Sequence, residues 1–272
     1  MTPKPPIGLI AGSGQFPVLA ARGARGQGHG VVIVGFEGYS DPGLARECDH
    51  FHMVKLGQIG KVIRFFKTHG ACRVAFAGAV NKPRALSLRP DARAIKILFS
   101  LAHKGDDTLL RAVAAEFERE GLPVFQAAEL VPQLRAPEGV LTARAPSDAE
   151  RDDLRFGWNT AKAVGALDIG QCLVVKKGVV AAVEAIEGTD AAIARGGELA
   201  GAGCVVVKTV KPGQDERLDL PSVGLGTVRA CVAARVTCLG IEAGKTLFFD
   251  PEASLREADA AGLAIVGLTQ AP

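Results

Sequence analysis

Short apolar runs alternate with longer amphipathic segments along the first half of the chain. Apolar runs that end at glycine or at polar residues are typical of buried strands, and apolar residues at i, i+3 and i+4 spacing predict helices. The predicted strands are 7–11, 31–34, 50–56, 73–77 and 123–127, and the predicted helices are 16–25, 59–69, 91–103 and 106–120. This alternation predicts an α/β fold, with a Rossmann-like, mostly parallel sheet over residues 1–132.

The second half alternates as well, but less regularly. A helix is expected at 149–164, and two strands at 172–176 and 179–185 are joined by a tight turn at Lys177-Gly178. Thr189 is the predicted N-cap of the next helix. Further strands are predicted at 204–207, 238–241, 246–249 and 263–268, and further helices at 228–235 and 251–261. We expect a second α/β domain with a mixed sheet over 148–272, after a linker at 133–147 that contains Pro137, Gly139 and Pro146.

The composition of the chain limits the classes of protein to which it can belong. The chain has 272 residues, of which 48% are hydrophobic, and its net charge of +3 comes from dispersed basic residues rather than from the stripe typical of a nucleic-acid binder. The six cysteines form no C-x-x-C pair, which favours small core residues in a reducing compartment. The N-terminus has no signal-peptide pattern, and no apolar run approaches the roughly 20 residues of a membrane span. We predict a soluble, cytoplasmic protein. Transient contact with a membrane surface and a homodimer remain open.

The loop after the first predicted strand contains Gly12, Ser13 and Gly14. A strand, a glycine turn and a helix form the start of many phosphate-binding units, since the N–H groups at a helix start attract anions. Pro17 stands where the dinucleotide fingerprint has its third glycine, and no acidic residue ends the second strand in the expected way. Three interpretations stay open: a turn that is glycine-rich for packing, a site for a phosphate or uridine group, and a dinucleotide site.

Three polar stretches are candidates for chemistry. Glu187-Gly-Thr-Asp190 is either a helix start or a source of metal ligands. Lys104-Gly-Asp106-Asp107 is either a helix start or a set of metal or phosphate contacts. The stretch from Lys208 to Asp219 follows an apolar strand and is the richest in functional groups.

If residues 215–219 are extended, Asp215, Arg217 and Asp219 share one face, with the guanidinium between two carboxylates. This triplet is either a surface salt-bridge ladder or a phosphate-binding cation between acids that bind a metal or act as a base. Lys208 and Lys211 add positive charge beside it.

Five motifs occur together and in order: 8–17 (Gly-Leu-Ile-Ala-Gly-x-Gly-x-x-Pro), 105–111 (Gly-Asp-Asp-x-Leu-Leu-Arg), 167–171 (Leu-Asp-Ile-Gly-Gln), 187–190 (Glu-Gly-Thr-Asp) and 211–227 (Lys-Pro-Gly-Gln-Asp-x-Arg-x-Asp-x-Pro-x-x-Gly-x-x-Thr). In this respect the chain resembles the metal-dependent UDP-2,3-diacylglucosamine pyrophosphatases of lipid A biosynthesis, the branch that is not calcineurin-like. The resemblance implies a two-domain hydrolase that uses Mg²⁺ and releases UMP and 2,3-diacylglucosamine 1-phosphate. It departs at Ser13 and Cys172, where glycine is usual, and in a short segment between Arg195 and Cys204.

The resemblance makes Asp219 the essential aspartate. With the residue chemistry, it predicts Asp219, Asp215 and Arg217 as catalytic residues and Asp219, Glu187 and Asp190 as ligands of Mg²⁺. The predicted substrate-binding residues are Gly12, Ser13, Gly14, Lys104, Asp106, Asp107, Gln171, Thr189, Lys208, Lys211, Gln214 and Thr227. The cationic residues would offset charge on the phosphates.

Two other classes of protein remain as alternatives. One is a non-catalytic carrier of a nucleotide-sugar or lipid that closes on its ligand without altering it. The other is an NAD-dependent oxidoreductase that uses the Gly12–Gln15 turn, and the incomplete fingerprint argues against it.

Overall fold

The computed structural model describes residues 4–80, 89–100 and 106–272, with every side chain in them except those of Ser100, Asp106 and Asp107. The chain forms two compact units. The first contains Met1–Pro132 and the short segment Asp215–Asp219, and the second contains Gln133–Gln214 and Leu220–Pro272. Residues 133–147, which the sequence suggested as a linker, therefore belong to the second unit. Residues 215–219, expected in the C-terminal domain, belong to the first.

In the first unit, strands alternate with helices through the described residues. The strands are β1 (Lys4–Ala11), β2 (His29–Phe36), β3 (His50–Val54) and β4 (Val74–Ala77). The helices are α1 (Phe16–Gly26), α2 (Ile59–Thr68), α3 (Ala92–Ser100) and α4 (Asp106–Arg119), with short 3-10 helices at Pro42–Glu47 and Ala127–Leu130. These strands form one parallel sheet in the order β3-β2-β1-β4, which confirms the predicted parallel sheet. The predicted strand 123–127 is only a single bridge between Val124 and Val74.

The central strand β1 is buried on both faces. Ile10 packs in one apolar cluster with Val62 and Phe66 of α2, whereas Leu9 and Ala11 pack in another with alanines of α1. A strand that is covered on both faces has a continuous apolar run instead of an alternating one, as residues 7–11 do. The polar residues that follow β1 therefore lie where the strand leaves the core.

The second unit is built around a mixed sheet. Its strands are β5 (Gly139–Val140), β6 (Cys172–Lys176), β7 (Val179–Val183), β8 (Cys204–Lys208), β9 (Ser222–Val223), β10 (Val236–Glu242), β11 (Leu247–Phe248) and β12 (Ala264–Leu268). Its helices are α5 (Asp148–Ala166), α6 (Thr189–Ala200), α7 (Leu225–Ala233) and α8 (Pro251–Ala260). Six strands form the sheet in the order β5-β12-β10-β8-β6-β7, and β9 pairs with β11. Strands β8, β10 and β12 are parallel, and β6 runs antiparallel to both neighbours, as expected for a mixed sheet.

Two adjacent glycines let α6 pack closely against its neighbours. A Cβ on Gly196 would lie 2.4 Å from a methyl of Val174 in β6, and one on Gly197 would lie 2.6 Å from the Cβ of Ala234. Any larger residue would push the helix outward, because both contacts are shorter than van der Waals contact allows. This close packing holds α6 directly against β6 and the C-terminal end of α7.

Four of the six cysteines are buried in the second unit, namely Cys172, Cys204, Cys231 and Cys238, whereas Cys48 is half-buried and Cys72 is exposed. Burial raises the pKa of Cys172 and of Cys238 to about 12. These thiols stay protonated at neutral pH and act as small core residues. Among the described residues, no helix is both long and apolar enough to cross a membrane.

The start of α5 is tied to the sheet by Arg144 and Glu150. Ser147 and Glu150 form a capping box, and both guanidinium ends of Arg144 donate to the Glu150 carboxylate at 2.9 Å. Burial on its own would raise the pKa of Glu150, but the hydrogen bonds from Arg144 and Ser147 lower it to about 2. The carboxylate is therefore more acidic in the folded chain than its ordinary value of 4.5.

We expect this carboxylate to stabilise the fold above pH about 4.5 and to lose that contribution as the pH falls toward 2. Glu150→Gln should lower the free energy of unfolding at pH 7 by about 2 kcal/mol, a value reduced because Arg144 is partly in water. The difference between wild type and variant should shrink toward pH 2. Thermal unfolding at pH 7, 4 and 3 tests this, and a constant difference over that range would contradict it.

Candidate active site

Lys208, at the end of β8, is a buried lysine without a carboxylate partner among the described residues. Its side chain is 5% exposed. The ammonium donates to the Thr189 hydroxyl at 3.0 Å and to the backbone carbonyl of Ser222 at 2.8 Å. Neither acceptor carries a charge, so the positive charge is available to an anion. Two of the predicted substrate-binding residues, Lys208 and Thr189, are thus in direct contact.

The hydroxyl of Thr189 links Lys208 to a buried acid that sequence reasoning did not single out. It donates to Glu184 Oε1 at 2.8 Å, and Glu184 is 9% exposed. The sequence predicted Thr189 as the N-cap of α6, and this prediction is wrong. Gly188 is the N-cap, with φ at 84°. The Thr189 hydroxyl instead completes a chain from Glu184 to Lys208. An acidic residue directly after the apolar strand β7 was the signal in the sequence.

These side chains lie above one row of the sheet. Cys172 of β6 pairs with Lys208 of β8, and the backbone N–H of Glu184 donates to the carbonyl of Cys172 at 2.8 Å. The acid and the lysine therefore flank the fully buried Cys172 on neighbouring strands. Lys208 ends β8 and Glu184 directly follows β7. Strand ends and the loops after them are a common position for binding groups in α/β proteins.

Two helix starts adjoin these side chains. Helix α6 begins after Gly188 and helix α7 after Gly224, and no side chain in the described part of the protein caps either one. Unpaired N–H groups and the helix dipole favour anions at such positions. Thr227, predicted to bind substrate, lies half-buried in the first turn of α7. Ser222, whose carbonyl accepts from Lys208, lies in β9, which leads into that turn through Gly224.

Three further predicted binding residues lie near the ends of β6 and β8. Gln171 has a buried Oε1 that accepts no hydrogen bond from the residues that the structure describes, and its backbone carbonyl accepts from the N–H of Thr209 at 3.0 Å. Lys211 forms an ion pair with Asp168 at 2.7 Å, and its N–H donates to Gln214 Oε1 at 3.3 Å. The ammonium of Lys211 is therefore already paired, unlike that of Lys208.

Residues 215–219 form a compact turn, so the extended conformation considered from the sequence is wrong. The N–H groups of Leu218 and Asp219 both donate to the carbonyl of Asp215, at 2.9 and 3.4 Å. Leu218 is 7% exposed and packs in an apolar cluster of the first unit. The carbonyl of Glu216 accepts from Gln126 at 3.1 Å. Burial of one leucine thus fixes the turn on the first unit.

Arg217 does lie between two carboxylates, but the second is Glu118 of α4 instead of Asp219. Its guanidinium donates to both oxygens of Asp215, at 2.9 and 2.7 Å, and to Glu118 at 2.7 Å. Hydrogen bonds from Arg217 lower the pKa of Asp215, and those to Asp215 and Glu118 raise the pKa of Arg217. This bidentate arrangement holds the turn in shape. Asp219 follows it as an exposed residue.

The loop Gly12–Gly14 lies at the carboxyl end of β1 and packs on the loop after β4. Ser13 donates from its N–H and its hydroxyl to the carbonyl of Ala79, at 2.8 and 2.9 Å. A Cβ on Gly12 would lie 2.5 Å from that same oxygen, so Gly12 is required for packing. Gly14 is exposed, with φ at 87° and open space around it. Since β1 lies between β2 and β4, this edge is where open parallel sheets bind ligands.

Lys104 lies outside the described residues, as do the side chains of Asp106 and Asp107. The backbone of Asp106 and Asp107 begins α4, which agrees with a helix start. Their predicted contacts with a phosphate or a metal stay predictions.

Two of the predicted metal ligands, Glu187 and Asp190, lie at the start of α6. Glu187 is exposed and paired with Arg195 at 2.5 Å, and hydrogen bonding from Arg195 lowers the pKa of Glu187. Asp190 is exposed in the first turn of α6. Across the parts of the chain that the structure describes, no three His, Cys, Asp or Glu side chains are arranged to hold a metal ion.

Two family models match consecutive parts of the chain: the LpxI N-terminal domain over residues 6–134 and the LpxI C-terminal domain over residues 137–266. The chain belongs to the LpxI family. A curated LpxI relative, "UDP-2,3-diacylglucosamine pyrophosphatase LpxI" of Caulobacter vibrioides, is 38% identical over 274 residues, which cover 96% of this chain and 97% of the relative. The similarity spans both units of this LpxI chain.

Among solved structures, this LpxI chain is similar to the "ADP complex of purK: N5-carboxyaminoimidazole ribonucleotide synthetase". The identity is 12% and the TM-score 0.30, over 64% of this chain and 33% of that one. A likeness of this strength carries no functional conclusion for the LpxI family.

Proposed function

We propose that this chain hydrolyses the pyrophosphate of UDP-2,3-diacylglucosamine to UMP and 2,3-diacylglucosamine 1-phosphate, a step of lipid A biosynthesis. The observation that carries the proposal is the similarity to the Caulobacter vibrioides pyrophosphatase over 96% of this chain and 97% of that protein. In the reaction, the oxygen of water bonds to one phosphorus, the P–O bond to the bridging oxygen breaks, and a proton leaves. The residues that catalyse this step must stabilise the negative charge that spreads over the phosphate oxygens in the transition state.

Asp219 is the residue to which we assign the reaction. Its carboxylate is exposed and follows a turn that Leu218 anchors and Arg217 braces. Asp215 forms a bidentate ion pair with Arg217. We therefore propose that Asp215 and Arg217 position Asp219 and do not contact the reacting atoms. This changes the role expected for Asp215 and Arg217 from the sequence.

We place the protein in the metal-dependent, non-calcineurin-like branch, with Mg²⁺ as its ion. Mg²⁺ is usually held by one or two carboxylates together with substrate phosphates and water, and an exposed Asp219 fits that need. Asp190 is the second candidate, since Glu187 is engaged by Arg195. When bound, the ion would neutralise phosphate oxygens and lower the pKa of water.

We assign the substrate phosphates to the binding groups around Lys208, at the end of β8. Lys208 offers a buried ammonium, and the starts of α6 and α7, with Thr189 and Thr227, offer backbone N–H groups. Lys211, Gln214 and Gln171 lie beside the same strand ends. Together these groups would offset the negative charge of a diphosphate.

Hydrolysis should depend on a divalent ion. We expect UMP release from UDP-2,3-diacylglucosamine in detergent micelles to stop in EDTA and to return when Mg²⁺ is added in excess, because the described residues gather no set of three ligands that would hold a metal tightly. UMP can be measured by chromatography. A carrier would bind the substrate in EDTA and release no UMP after Mg²⁺ addition, and that result would reject the proposal.

We also propose a cytoplasmic location, a homodimer, transient contact with a membrane surface, and a Rossmann-like classification of the first unit. A nicotinamide-dependent oxidoreductase has no specific observation in its favour.

A further inference from the structure

Glu184 has a buried carboxylate oxygen to which no described residue donates a hydrogen bond. Its Oε1 accepts from Thr189 at 2.8 Å, but its Oε2 is buried and has no hydrogen-bond partner among the described residues. Leaving a charged acceptor unpaired in the interior is among the more costly arrangements in a folded protein. A position of this kind indicates a group that is completed by a ligand or by water.

Lys208 lacks an acceptor for one of its N–H groups among the described residues. An ammonium has three donors, and the described structure gives it two acceptors, the hydroxyl of Thr189 and the carbonyl of Ser222. One N–H is left, at a side chain that is 5% exposed. The single hydroxyl of Thr189 therefore separates a carboxylate that lacks a donor from an ammonium that lacks an acceptor.

A matching ligand must supply both an anion and a hydrogen-bond donor. The anion would lie at Lys208 and the uncapped starts of α6 and α7, and the donor would face Glu184 Oε2. Phosphate esters of hydroxylated molecules have this combination, since a phosphate oxygen is joined through few atoms to hydroxyl or N–H groups. An anion without a donor would satisfy only Lys208.

We propose that Glu184 determines specificity in this site, accepting a hydrogen bond from a hydroxyl or N–H group of a phosphate ester whose phosphate is bound at Lys208. The inference rests on the proposed function for its ligand class. The donor has two possible sources, the nucleoside of UMP or the sugar of 2,3-diacylglucosamine 1-phosphate. Each product can be tested separately.

The decisive variant is Glu184→Gln. The amide oxygen can still accept from Thr189, but an NH₂ group replaces the unpaired acceptor, so the ligand donor would meet another donor. We expect roughly 10- to 100-fold weaker binding of the product that supplies the donor, since a hydrogen bond to a charged acceptor is lost. Calorimetric titration with UMP and with the lipid product identifies the source. Sulfate, which has no donor, should bind the variant at least as well as wild type.

Matched controls separate this role from a general effect of charge or of folding. Glu198→Gln removes the same charge from the exposed side of α6 and should leave binding of both products unchanged. Thr189→Ser keeps the hydroxyl and should bind near wild type, whereas Thr189→Val breaks the chain and should weaken binding. If Glu184→Gln does not fold, as judged by thermal unfolding, the Thr189 pair provides the test.

The outcomes distinguish this inference from the proposed function. Neither product is hydrolysed further by a pyrophosphatase, so binding is measured without turnover. If Glu184→Gln binds both products as wild type does, or binds them more tightly, the inference is overturned even when wild type hydrolyses the substrate. If the variant loses affinity for one product but wild type releases no UMP, the inference stands and the proposed function fails.

Discussion

Asp219→Asn should lower the rate of UMP release by about 10²–10⁴-fold, the range typical of losing a group that transfers a proton or holds a metal. Asparagine keeps the shape of the side chain but has no negative charge and no basic oxygen. The turn that holds it should persist, because Leu218 remains buried and Arg217 remains bound to Asp215 and Glu118. We therefore expect this variant to lose activity while its thermal stability stays close to that of wild type.

Initial rates with UDP-2,3-diacylglucosamine and Mg²⁺, together with thermal unfolding, measure both quantities. Asp152→Asn is the matched control, since Asp152 is an exposed acid paired only with Arg155 on the surface of α5. It should retain wild-type activity. Hydrolysis by Asp219→Asn within about threefold of wild type, far inside the range for a lost catalytic carboxylate, would remove Asp219 from the reaction.

Gly12→Ala should destabilise the first unit by about 2–3 kcal/mol, because the new methyl meets rigid backbone. Its Cβ would lie 2.5 Å from the carbonyl oxygen of Ala79 and 2.6 Å from that of Gly78. The loops after β1 and β4 must then separate, which breaks the bonds from Ser13 to Ala79. If this edge binds part of the substrate, activity should fall along with stability.

Gly26→Ala is the control for Gly12→Ala. Gly26 is the last residue of α1, and nothing lies within 4 Å of an added Cβ, so alanine there should be neutral or stabilising by up to about 1 kcal/mol. Chemical denaturation of the two variants gives the comparison. Equal stability of Gly12→Ala and Gly26→Ala would show that the loops tolerate displacement and that Gly12 is not needed for packing.

The motif at 187–190 and the polar stretch from Lys208 to Asp219 brought Thr189 and Lys208 to attention, and the structure places the Thr189 hydroxyl and the Lys208 ammonium 3.0 Å apart. The same motifs did not indicate Glu184, because its importance comes from a contact with Thr189 and from an oxygen that stays buried and unpaired. The partner of Arg217 was missed for a similar reason. Besides Asp215, the acid that reaches the guanidinium is Glu118, 99 residues away.

The order of apolar runs along the chain determined the two α/β halves, the parallel sheet of the first and the mixed sheet of the second, because a buried strand or an amphipathic helix is specified by its own residues. Motif identity determined the family. Only the tertiary structure decided that residues 215–219 join the first unit as a turn, since burial of Leu218 and the ion pair with Glu118 outweigh their position in the sequence. Contacts between distant residues depend on packing, which local pattern does not specify.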